Sequence, residues 1–266
     1  MIPKYLLSNP FPDSKWSPEM RPVAVIDGEA YSIEKLDEKI TGEIAYFAGV
    51  NEKNFQKVVS LFAAKVMHFY EMRVSDISGL CNCESLEELA IHWNTKLADI
   101  SPIKKMTSLK SLVLEDTPKV SDLTPLENLA KLEILEYSGG MWKKNTTASL
   151  EPISRVGSLK KLRLLNLGVK EGGLFPLSKL NGLEELEISN QFPTEEYAYL
   201  SVHLSGVKCS HFSPYVKVAS PIDGKDVMIV GKRKPFLSLE NDAEKVSKYV
   251  MQFEKMRAKY AANNDN

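Results

Sequence analysis

Leu109-Lys110-Ser111-Leu112-Val113-Leu114, followed by Asp122-Leu123-Thr124-Pro125-Leu126 and then Leu132, is the stretch whose reading decides the fold. Leu112 and Leu114 alternate, which puts both on one face of a strand and Ser111, Val113 and Glu115 on the other. Pro125-Leu126 with Leu129 is apolar at i, i+1 and i+4, a spacing that suits a short helical or 3₁₀ turn packed inward.

The phrase recurs. Leu86, Leu89 and Ile91 form one copy; Leu132, Leu135 and Tyr137 another. Then come Leu159, Leu162 and Leu164; Leu183, Leu186 and Ile188; and Leu204, Val207 and Cys209. A degenerate first copy is Ala64, Met67 and Phe69. Opening residues at 64, 86, 109, 132, 159, 183 and 204 give copies of 22, 23, 23, 27, 24 and 21 residues. Pro102, Pro125, Pro152 and Pro176 each sit seven residues before the leucine that starts the next copy, and Gly79 takes that place in the first turn. One copy cannot bury its own leucines. Stacked copies share a continuous core and line up their strands in parallel.

Met72-Arg73-Val74-Ser75-Asp76-Ile77-Ser78-Gly79-Leu80 closely resembles the 22-residue repeats of the internalin and SDS22-like leucine-rich-repeat proteins. Those repeats carry Asn at the position of Met72. Asn94 occupies it here in one copy, and Thr117, Gly140 and Gln191 in others. The resemblance implies an α/β fold: a leucine-rich-repeat solenoid of about seven parallel strands in a curved sheet. It also implies binding of another protein.

Composition agrees with a folded domain: 43% hydrophobic, 26% charged and a net charge of -1. Such a balance argues against a general nucleic-acid binder, which is usually basic. No apolar run is long enough to span a membrane. Residues 1–10 lack the apolar core of a signal peptide, so a cytoplasmic location is expected. Three cysteines, with Cys83 and Cys209 in core positions of the repeat frame, fit reduced thiols better than disulfides.

Three parts are expected. Residues 1–54 form an N-terminal cap. It comprises a proline-rich extended segment, a hairpin turning at Asp27-Gly28, a helix over Ile33–Ile40 and a second helix after Asn51. Residues 55–212 form the solenoid. Residues 213–266 form a C-terminal cap with short strands about Asp223-Gly224, a helix from Asn241 or Asp242 to about Tyr260, and a disordered tail from 261. A further helix is expected between Pro193 and Leu204.

The repeat frame also orders the outward-facing residues into columns. One runs Lys65, Glu87, Lys110, Glu133, Lys160, Glu184; another His68, Ala90, Val113, Glu136, Arg163, Glu187. Their alternating charges suit a lateral ladder of pairs and equally a patterned surface for a partner. Tyr70, His92 and Trp93, with His68, Ala90 and Val113, are expected to form an exposed contact zone. The insertion Ser138–Thr147 lengthens one turn into an edge loop, and its Trp142 is a candidate hot spot. The candidate partner-binding set is therefore Tyr70, His92, Trp93, Glu115, Glu136, Trp142, Lys160, Lys161 and Arg163.

No phosphate loop, nucleophile elbow or zinc motif stands out, and no cofactor, metal or catalytic residue is assigned. The expected function is non-enzymatic binding of a protein partner through the concave face and one loop edge. Three alternatives remain open: an inhibitor or immunity-type protein that neutralises a toxin, an enzyme with its site in the N-terminal cap, and a nucleic-acid binder using Lys160, Lys161, Arg163 and the loop lysines.

Overall fold

The leucine rows lie in one register. In the computed structural model, which describes residues 22–83 and 85–262, Leu89, Leu112, Leu135, Leu162 and Leu186 stand opposite one another on successive parallel strands. All five are at most 2% exposed and belong to one core cluster.

The chain begins with the hairpin β1 (Val23–Ile26) and β2 (Glu29–Ser32), turning at Asp27 and Gly28, both of positive φ. The helix expected over Ile33–Ile40 does not form. Residues 33–35 are turn, and β3 (Ile40–Ala48) runs parallel to β4 (Phe62–Tyr70) after the short helix α1 (Phe55–Leu61). The stretch is rich in β-formers, and two contacts fix it as strand. Phe47 stacks on Phe69 at 4.8 Å, and the Asp27 carboxylate accepts the N–H groups of Glu43 and Ile44. Gly42 is needed for this approach, because a Cβ there would meet Ile26 and Asp27 side-chain atoms at 2.4 and 2.6 Å.

Then come β5 (Glu88–His92), β6 (Ser111–Glu115), β7 (Ile134–Ser138), β8 (Asn145–Thr147), the single-turn helix α2 (Glu151–Ser154), β9 (Lys161–Leu164), β10 (Leu167–Val169) and β11 (Glu185–Ile188). The main sheet has the order β11-β9-β7-β6-β5-β4-β3-β1-β2. Seven of its strands are parallel, as expected, but the set differs. β3 joins, whereas the last copy contributes only the bridge from Lys208 to Glu185. Strands β8 and β10 form a separate two-stranded ribbon, so the tail of the insertion is strand rather than loop.

The opposite side of the solenoid carries 3₁₀ turns at Ser78–Asn82, Ser101–Lys105, Thr124–Asn128 and Phe175–Lys179. Asp76, Asp99 and Asp122 each accept the N–H two residues on, at 2.7 to 2.9 Å, and so start three of them. Cys83 and Cys209 pack against the core but are half-buried rather than enclosed.

The C-terminal part follows expectation. Helix α3 (Thr194–His203) leads to β12 (Tyr215–Ile222) and β13 (Lys225–Ile229). The very short β14 (Phe236–Leu237) adds a third antiparallel strand. Helix α4 (Ala243–Ala262) buries Val246 and Phe253, the latter in the main core. It continues two residues into the tail expected to be disordered; residues 263–266 and the proline-rich segment before Pro22 lie outside the described residues.

Candidate protein-binding face

The outward residues of the parallel strands fall into the columns read from the repeats: His68, Ala90, Val113, Glu136, Arg163 and Glu187 are strict neighbours. Their charges pair laterally. Lys65 reaches Glu43 at 3.0 Å, Lys110 reaches Glu87 at 2.7 Å, and Lys160 reaches Glu133 at 2.9 Å. These pairs stand in water, which screens them, so they order the columns more than they stabilise the fold. The hydrogen bond from Lys110 holds the Glu87 carboxyl below the usual carboxylate range.

Arg163 is different. It bridges Glu136 at 3.2 Å and Glu187 at 3.0 Å, one strand to either side. Glu136 is buried, and that burial raises its carboxyl above the ordinary range against the pull of Arg163. The candidate residues Glu136 and Arg163 are thus in contact. Lys160 is engaged with Glu133 instead, and Lys161 stands opposite Ile134 and Glu185.

At the N-terminal end of this face Tyr70, His92, Trp93 and Glu115 come together. The rings of Tyr70 and His92 stack with centroids 4.4 Å apart, Trp93 meets Tyr70 edge-on at 5.9 Å, and His92 Nδ1 lies 2.6 Å from the Glu115 carboxylate. That hydrogen bond holds the Glu115 carboxyl below its usual range. The expected exposure is only partly met. His68 and Ala90 are 0% exposed, Val113 1% and His92 5%. Ala90 and Val113 are small, and Ile134 packs over them. Tyr46 and Tyr70 flank His68 at 5.2 and 6.4 Å, and burial pushes its imidazole down to about 3. Trp93, 47% exposed, is what this zone presents to solvent.

Trp93 also has an unusual backbone. Glu71, Trp93, Asp116 and Asn166, which follow strands β4, β5, β6 and β9, all have positive φ, between 45° and 60°. Their backbone N–H groups reach the next turn; that of Trp93 donates to Glu115. Left-handed backbone suits Asn and Asp but is costly for a bulky aromatic.

The edge loop is the most exposed apolar feature of the face. Met141 is 87% and Trp142 90% exposed. Its backbone is pinned nonetheless. Asn166 donates to the Gly140 and Lys143 carbonyls at 2.7 and 3.4 Å, and the Asp116 carboxylate lies where any Cβ on Gly140 would have to go. Trp142, Lys143 and Lys144 wall a hollow of about 500 Å³ with Thr95, Pro118 and Lys119. The loop therefore opens on the same edge as the turn that follows Trp93.

Counting along the repeat had placed the family's asparagine at Gly140; the structure puts Asn145 in that role. Fully buried, it donates to the carbonyls of Ser138 and Leu114 and to Thr117 Oγ1. The insertion had shifted the count by five residues. Asn94 fills the role two copies earlier, donating to the Val74 carbonyl and accepting from the N–H groups of Lys96 and Leu97. Among the described residues no group of three or more His, Cys, Asp or Glu is placed to hold a metal, and no helix is long and apolar enough to cross a membrane.

The model of the family "Leucine Rich repeats (2 copies)" matches residues 84–128. No curated protein matches the sequence. Among solved structures, internalin C2 of Listeria monocytogenes is 22% identical, with 68% of this chain and 74% of that one covered and a TM-score of 0.47. An internalin (inlF) of the same organism is 18% identical, with 68% and 69% covered and a TM-score of 0.43. A TLR13–ssRNA13 complex is 13% identical, with 62% and 27% covered and a TM-score of 0.43. The register of the leucines and the 3₁₀ turns opposite the parallel sheet give the chain a leucine-rich-repeat solenoid fold, and the model of that repeat matches within it at residues 84–128.

Proposed function

We propose that this chain is a protein-binding module without chemistry of its own. It engages its partner through the concave sheet face and the adjoining loop edge. The observation that carries this reading is the Glu136–Arg163–Glu187 bridge within a rigid array of columns. Charges fixed on parallel strands present one unvarying pattern, and such a pattern selects a complementary surface. Repeat solenoids in general use this extended inner face for binding. The exposed Trp93 and Trp142 supply aromatic contacts at its margin. Free thiols at Cys81, Cys83 and Cys209 suit a reducing compartment such as the cytoplasm.

Capture from an extract of the native organism tests this, with the wild type and a Lys160→Glu/Lys161→Glu variant as baits. The expected result is a protein retained by the first and lost from the second, with thermal midpoints unchanged. Equal recovery on both baits removes the concave face from the interaction.

A further inference from the structure

We infer that the hollow between the edge loop and its two neighbouring turns is a docking groove for an acidic, extended segment of a protein partner carrying one large apolar side chain. This deepens the binding reading above and rests on it.

Three observations support the assignment. The first is charge. Lysines of the concave columns are matched: Lys65, Lys110 and Lys160 each hold a carboxylate at 3.0 Å or less. Lys119, Lys143 and Lys144, which line the hollow, have no carboxylate within ion-pair distance among the described residues. Of the two acids of the same edge, Glu115 is already engaged with His92, and the Asp116 carboxylate lies beside Gly140 at the base of the loop. The chain as a whole is close to neutral, at -1, so this is a local excess of positive charge and not a general one.

The second is apolar surface. Trp142 and Met141 stand almost wholly in solvent beside those lysines. An exposed tryptophan next to unmatched cations fits an occupant that brings both carboxylates and an apolar side chain.

The third is order. Asn166 holds the loop backbone in place before any partner arrives, through the Gly140 and Lys143 carbonyls. A preformed groove avoids the entropy of ordering a loop on binding.

The occupant is a peptide rather than a nucleic acid. Three lysines neutralise about three phosphates, whereas nucleic-acid faces carry basic stripes. A polypeptide segment with a few Asp or Glu residues matches the count and supplies the apolar anchor as well.

The test is selection of a phage-displayed library of short random peptides on the intact chain. The enriched sequence is then labelled and titrated by fluorescence anisotropy, beside a mixed-sequence oligoribonucleotide and phosphatidylserine vesicles. The expected winners carry Asp or Glu around an aromatic residue or leucine. Their affinity falls at least ten-fold on Trp142→Ala and on Lys143→Glu/Lys144→Glu, and is unchanged on the concave variant Lys160→Glu/Lys161→Glu. Enrichment of neutral or basic peptides overturns the groove, as does tighter binding of the oligoribonucleotide or the vesicles. Loss on the concave variant with none on Trp142→Ala also overturns the groove, yet leaves the concave-face reading standing.

Discussion

Arg163 approaches the buried Glu136 carboxylate at 3.2 Å while its Nε meets Glu187 at 3.0 Å, so one guanidinium spans three strands. Replacing Arg163 with Ala strips the cation from a carboxylate whose side chain is only 8% exposed, and a cost of about 1–3 kcal/mol follows. Adding Glu136→Gln removes the stranded charge, so the double variant regains most of that loss. Chemical denaturation of both variants at neutral pH checks this, and a double variant no more stable than Arg163→Ala alone contradicts it. The pH sign follows from the raised carboxyl of Glu136. The folded state holds the proton to a higher pH than the unfolded chain, so this group's contribution is present below the ordinary glutamate value. It is lost as pH rises through the folded one.

His68 acts in the opposite direction. Its imidazole is pushed from 6.5 down to about 3, first by burial and then by the neighbouring His92. Below the ordinary value the unfolded chain takes up a proton that the folded chain refuses. Stability is therefore fully present above about 6.5 and is lost as pH falls towards 3. The total is on the order of 5 kcal/mol by the usual conversion of a pKa shift. Tyr46, Tyr70 and His92 face this ring and are unaltered by the His68→Gln change, so their own titration is common to both proteins. Denaturation curves between pH 7.5 and 5 are expected to show the wild type losing stability faster than His68→Gln. Parallel slopes would remove His68 as the cause.

Trp93 offers a separation of binding from folding. Its φ of 60° costs a bulky residue roughly 1 kcal/mol, and glycine avoids that cost. Trp93→Gly gives up the edge contact with Tyr70 and gains the relaxed backbone. Its stability should stay within about 1 kcal/mol of wild type, far from the roughly 3–5 kcal/mol of a buried tryptophan removal. Capture of the protein partner should weaken at the same time. A large loss of stability would make Trp93 a packing residue instead.

Asn145 and Asn166 both hold the edge loop but differ in depth. Asn145 is fully buried and donates to two carbonyls and a threonine hydroxyl, so Asn145→Ala should cost about 2–3 kcal/mol. Asn166 serves the loop backbone at its surface. Asn166→Ala should leave the thermal midpoint within a few degrees while speeding amide exchange at residues 140–144. Unchanged exchange there would mean that the loop is held by other contacts.

The register of the sheet was legible because alternation has a period of two: any slip would have turned Leu112 and Leu135 out to solvent. Other features were hidden for definite reasons. β3 has no leucine phrase, and Ile33, Leu36 and Ile40 fit a helical spacing until Asp27 and Phe69 are seen to claim the segment that follows. The frame told which side Ala90 and Val113 face but not that Ile134 covers them. Counting failed at Gly140 because an insertion moves the asparagine without changing its task, which Asn145 performs. The last copy has Val207 and Cys209 at the right spacing, yet only Lys208 makes a bridge. The charge ladder was visible from spacing alone; the unmatched lysines of the edge were not, since loops carry no column to read them in.

Trp93 follows β5 and Trp142 follows β7, with a single intervening strand between their turns. Each added repeat widens a stack of parallel strands by about 4.8 Å. The span between the two indoles is therefore a ruler graduated in whole repeats. Duplicating residues 109–131 would lengthen it by one graduation, so copy number itself sets how long an object the two can grip at once.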